Sequence, residues 1–135
     1  MSCFSDALKT NDVYVRLCDA LCKPSPSVCI IGLSPVYKAH FIHAVTDALS
    51  GGALVITADE ASASKLCSDI NAFGSKAMLF PYKDLSFSSD ATVSREYEHI
   101  RLGVLCRILS KKYDVIVAPA AAVCQKTIPP EKLSE

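Results

Sequence analysis

The chain has 135 residues, half of them hydrophobic and about a fifth charged. That length suits one domain with a real core, and the balance excludes an intrinsically disordered chain. Fourteen Lys and Arg stand against fourteen Asp and Glu, a formal net charge of zero. A dedicated duplex-DNA binder is usually basic, so the balance argues against that class.

No apolar run approaches the roughly 20 residues of a spanning helix. The N-terminus, MSCFSDALKTND, carries acids and no apolar h-region, so it does not read as a signal peptide. A soluble, cytoplasmic protein is expected. The seven Cys, at 3, 18, 22, 29, 67, 106 and 124, form no C-x-x-C pair. Most stand among apolar residues and are expected to act as small core hydrophobes. An odd count without metal-ligand spacing points to reduced thiols in a cytosol and to no metal site.

In chain order, residues 4–22 carry a rough helical stripe of Leu8, Val15, Leu17, Cys18 and Leu21. Lys23-Pro24-Ser25-Pro26-Ser27 is a connector, which divides the chain into an N-terminal helix (1–24) and an α/β domain (25–135). Val28-Cys29-Ile30-Ile31 is a short continuous apolar run and predicts a strand buried on both faces. A helix over 34–49 follows, with Ser34 as N-cap and Pro35 at its first position. Its inward face should be Phe41, Ile42, Val45 and Leu49, and Gly51-Gly52 ends it.

Ala53–Thr57 predicts a second buried strand. Thr57 with Glu60 predicts a capping box for the next helix, whose buried side is Leu66, Cys67, Ile70 and Phe73 and whose stop is Gly74. Residues 77–80 read as a third strand and 81–93 as a long polar loop. A helix over 94–111 should present Tyr97, Ile100, Val104, Leu105 and Ile108 on one face. Residues 114–118 form a fourth strand, and Pro119 to Cys124 start a short helix. The alternation predicts a three-layer α/β domain with a mainly parallel sheet of about four strands and flanking helices.

Between the first strand and its helix lies a damaged phosphate loop. A working loop is G-x-x-x-x-G-K-[ST]. Its glycines let amides curl around phosphates, its Lys neutralises them and its hydroxyl holds magnesium. Gly32 and Lys38 match, whereas Tyr37 stands at the second Gly and Ala39 at the hydroxyl, and Pro35 has no N–H to offer. Gly32 and Lys38 therefore read as relics, with no catalytic residue and no bound cofactor expected. Asp59-Glu60 after an apolar run suggests an acidic metal-binding strand end, but acids in a first helical turn and the capping box already account for the pair. His40, His43 and His99 show no spacing that selects a nucleophile partner, and there is no G-x-S-x-G elbow.

The second half carries a resemblance. Phe80-Pro81, Asp84-Leu85, Ser94-Arg95-Glu96, Arg101-Leu102, an apolar strand from Val115 ending in Ala118-Pro119, Gln125 and Pro129-Pro130 follow one another in order. In that order they resemble the N-terminal module of the bacterial transcription-repair coupling factor, over roughly residues 25–135. That module is similar to the excinuclease B subunit, a helicase-like repair protein. The resemblance implies a degenerate P-loop NTPase fold of the RecA-like helicase type that has lost its nucleotide site. The excinuclease B subunit carries a long damage-probing hairpin after its third strand; the 13 residues of 81–93 are too short for one.

The resemblance further implies a fragment of a larger protein, cut before an inserted partner-binding domain. The parent would act in transcription-coupled nucleotide excision repair. Its partners would be RNA polymerase and the excinuclease A subunit, with DNA, ATP and magnesium handled by a translocase further along the chain. This module would be a non-enzymatic scaffold that restrains the translocase and helps present the recruiting surface. The rival readings are a domain that still binds ATP through Lys38, and a DNA-binding module with a basic face drawn from Lys65, Lys76, Lys83, Arg95, Arg101, Arg107, Lys111 and Lys112. A flavodoxin-like domain is disfavoured by the absence of a phosphate-binding glycine loop or an aromatic flavin shelf.

Overall fold

The computed structural model describes residues 6, 8–49, 51–82 and 91–133, the side chains of 91–95 excepted. Among them the order is α1 (Asp12–Leu21), α2 (Pro35–Leu49), β1 (Ala53–Thr57), α3 (Glu60–Ala72), β2 (Ala77–Leu79), α4 (Ala91–Leu109), β3 (Val115–Pro119), α5 (Ala120–Val123) and α6 (Pro130–Leu133). The strands form one parallel sheet in the order β1-β3-β2. The α/β class with a parallel sheet and flanking helices is as the alternation implies.

β3 is central, and all five of its residues are buried. That is what a continuous apolar run covered on both faces requires. On one face Val115 and Val117 pack with Ala77 and Ala39, and against Ala63, Cys67 and Ile70 of α3. On the other, Ile116 and Ala118 pack with Phe80, Met78, Tyr113 and Val104, Leu105 and Ile108 of α4. A third cluster joins Tyr14 and Leu17 of α1 to Phe41 and Ala44 of α2. Tyr14 Oη donates to Ala44 O at 2.8 Å, and burial, helped by Cys18, pushes the phenol pKa up to about 12.

Several sequence expectations are corrected. The sheet has three strands among the described residues, because 28–31 joins no ladder; Ile31 is 90% exposed. An apolar run supplies strand propensity but not a ladder partner. β1 is an edge strand with one face uncovered, so Leu54 and Ile56 are 58% and 56% exposed. The helix expected over 4–22 is interrupted: residues 6 and 8 are helical, a turn follows at 9–10, and α1 starts afresh at Asp12, where the Asn11 side chain accepts from Val13 and Tyr14 N–H and caps it. Residues 1–5 and 7 of the expected helix lie outside the described residues.

The cap of α3 is Asp59 rather than the Thr57–Glu60 box. Asp59 Oδ1 accepts Ser62 N–H at 2.8 Å, while Thr57 Oγ1 donates to Asp59 O. These amide and hydroxyl bonds from Ser62 hold the Asp59 carboxyl below the usual carboxylate range. Gly74 ends the helix as expected, with φ +101 in the left-handed region. α4 starts at Ala91 rather than 94, and residues 83–90 of the expected loop lie outside the described residues.

Two helical faces are rotated from expectation. On α2, Leu49 is exposed while His43 and Thr46 are buried, since the helix is covered by α1 on one side and by α3 on another. On α4, Ile100 is outside and Arg101 is inside. The cysteines are less buried than their neighbours suggest: Cys67 is buried, and Cys22, Cys29, Cys106 and Cys124 are exposed. All six described cysteines are free.

Candidate functional site

The loop that carries Gly32 and Lys38 runs directly into the first turn of α2. Gly32 adopts φ +88, a left-handed conformation, and no atom lies within 4 Å of where a Cβ would stand. Two residues later Ser34 starts α2. The Lys38 amide donates to Ser34 O at 2.9 Å, and the Tyr37 amide points to Ser34 Oγ at 3.5 Å. Pro35 has no amide to donate. Of the N–H groups from 35 to 38, only that of Val36 is left outside this cap. A phosphate cradle needs several convergent amides. The Tyr37 side chain is 60% exposed, and Lys38 is exposed as well.

Lys38, but not Gly32, lines a groove of about 1060 Å³ between the 26–33 run, α1, α2 and the β1–α3 edge. Its walls are mainly apolar, with Leu21, Val28, Ile30, Val55 and Leu66 among them, and Lys38, Lys65 and Asp69 at the margin. The groove has no signature in the sequence, because it is bordered by a 28–31 run that does not join the sheet.

A second cavity, about 670 Å³, lies where the turns leading into all three strands meet α2. Its lining is polar and includes His43, Thr46, Asp47, Ser75, Lys111 and Asp114. His43 Nδ1 and Ser75 Oγ lie 2.7 Å apart, both residues buried. The imidazole rings of His40 and His43 stack on Phe73, with centroids 5.0 and 6.2 Å away. Asp114 Oδ2 accepts the Lys76 amide at 2.7 Å. The His43–Ser75 pair joins residues 32 apart, and no local pattern signals it. His99 is exposed on α4 and joins neither cavity.

The suspected acidic metal site dissolves into the α3 cap, since both Asp59 carboxylate oxygens accept from Ser62. No group of three His, Cys, Asp or Glu gathers around a point among the described residues.

Of the cations named for a DNA-binding face, one is buried rather than exposed. Arg101 is 7% exposed, with its guanidinium carbon 4.0 Å from the Phe80 ring centroid and Nη1 donating to Pro81 O at 2.6 Å. Burial lowers the Arg101 pKa. Arg107 Nη1 donates to Met78 Sδ at 3.4 Å. Lys65 borders the apolar groove and Lys111 the polar cavity. Lys83 and the Arg95 side chain lie outside the described residues.

Among the described residues no helix is long and apolar enough to cross a membrane. In comparison with known proteins, the chain matches no family model, no curated protein and no solved structure.

Proposed function

We propose that this chain is a helicase-like, non-enzymatic module of a transcription-repair coupling factor, a scaffold that restrains a DNA translocase elsewhere in the same protein. The reading rests on the ordered sequence resemblance from Phe80 to Pro130, and on one structural observation in particular. The first turn of α2 uses the Lys38 and Tyr37 amides for its own cap at Ser34. Those are amides that a triphosphate would need. With Ala39 in place of the magnesium-binding hydroxyl, the loop has neither the donors nor the metal ligand of a nucleotide site. ATP and magnesium belong, in this reading, to the translocase.

Two measurements test it. Calorimetric titration with ATP and magnesium should give no saturable heat, and Lys38→Ala should leave the trace unchanged. Micromolar binding abolished by Lys38→Ala would establish the ATP-binding rival instead. Added in trans to a coupling-factor translocase stripped of its N-terminal module, the chain should lower the ATPase rate. An unchanged rate over a saturating range of concentrations would remove the restraining role. The burial of Arg101 and the Arg107–Met78 contact weigh against a continuous DNA-binding surface.

A further inference from the structure

Arg101 Nη2 is a buried side-chain polar atom without a hydrogen-bond partner among the described residues. A guanidinium does not shed its proton in a protein. A buried charge lacking a counter-charge is strongly destabilising, so an atom of this kind calls for an explanation.

Two sides of the group are already defined. The guanidinium carbon lies over the Phe80 ring, 4.0 Å from its centroid, and Pro81 O takes Nη1. Neither contact neutralises it: the ring offers a quadrupole and the carbonyl a dipole. Val104 and Leu105, one turn along α4, pack in the same cluster as Phe80 and keep the surroundings apolar. In such surroundings a charge-assisted bond is stronger than in water.

We propose that Arg101 is the seat of a carboxylate-binding site, in which Nη2 donates to an oxygen of an acidic group brought from outside the chain. Charge matching selects the class. A carboxylate carries one negative charge and cancels the guanidinium, whereas a sulfate or phosphate dianion would leave a net charge buried. Phe80 is the positioning residue: it holds the guanidinium plane so that Nη2 is presented in one direction. Nη2 is enclosed, so the acid reaches it only as the covering atoms give way, and the bound form should exchange slowly. The carboxylate can belong to a free organic acid or to an acidic residue of a partner polypeptide.

Guanidinium NMR signals of the 135-residue chain, isotope-labelled at arginine, test the site at neutral pH. Sodium acetate and the blocked tripeptide Ala-Glu-Ala are titrated separately, with sodium chloride and sodium sulfate as matched-ionic-strength controls. The Arg101 signals should shift saturably with acetate or peptide and not with chloride. Saturation by peptide at lower concentration than acetate identifies a polypeptide source; equal or better saturation by acetate identifies a small organic acid. Followed at the Phe80 and Val104 amides, the saturable response should vanish in Arg101→Lys. It should weaken roughly three- to tenfold in Phe80→Leu, with the β3 amide pattern retained as evidence of folding. The proposal is overturned by no saturable shift, or by sulfate binding more tightly than acetate.

Discussion

The side-chain amide of Asn71 bonds both backbone groups of a single residue. Its Nδ2 donates to Ala77 O at 3.0 Å, and its Oδ1 accepts Ala77 N–H at 2.9 Å. Lys76 O, one residue before, accepts from Asp114 and Val115 on the other side, so the Ala77 groups point away from β3. Asn71 therefore fills the position that a fourth ladder rung would occupy. Asn71→Ala should cost about 1–2 kcal/mol in urea unfolding, from two lost bonds to partly buried groups. An unchanged midpoint would mean that water replaces the amide without loss. Asn71 was not legible in the sequence: an Asn in the last turn before a helix stop reads as an ordinary polar surface position. Arg101 was hidden for the same reason, since a cation beside Ile100 suggests that the apolar residue faces inward. What decides the matter is the Phe80 ring on the next element, which no local pattern reveals.

At the scale of elements, the C-terminal end of α4 is the least relaxed. Lys112 N–H bonds Arg107 O at 3.0 Å and Lys111 N–H bonds Ile108 O at 3.1 Å, the crossed pair of a Schellman stop. The residue at its turning point is Lys111, at φ +52, where a Cβ crowds the following carbonyl and glycine is preferred. Lys111→Gly should stabilise the chain by about 1 kcal/mol, a rise of about 3–5 °C in thermal melting. A fall in the melting temperature would show that the lysine side chain makes an offsetting contact at the polar cavity. The stop of α3 was readable because Gly74 advertises its conformation. The stop of α4 was not, because nothing in Ser-Lys-Lys does. The reverse failure occurs at Val28–Ile31, where strong strand propensity meets no neighbour. Propensity describes a single segment, while a strand is a relation between two.

For the whole molecule, the layered α/β arrangement was the most legible feature. Alternating apolar runs and helical stripes leave few other ways to bury β3 on both faces. Strand order was beyond reach, since it depends on which runs find partners. The order observed predicts how stability is distributed. Ala53 N–H bonds Asp114 O, so along β1 the Leu54 and Ile56 amides alternate outward, away from β3. In hydrogen exchange, Leu54 and Ile56 should exchange more than about tenfold faster than Val55 and Val117, which lie on the inner ladder. Equal protection at all four would mean that another segment covers β1 in solution.

The two flanks of this sheet are thus unequal in what they permit. A newcomer on the far side of β2 would first have to strip away both contacts of the Asn71 amide, whereas beside β1 it would meet outward-facing peptide groups and two bare aliphatic side chains. Extension of the sheet, by this polypeptide or another, is therefore directional, and the α3–β2 hairpin acts as its terminus.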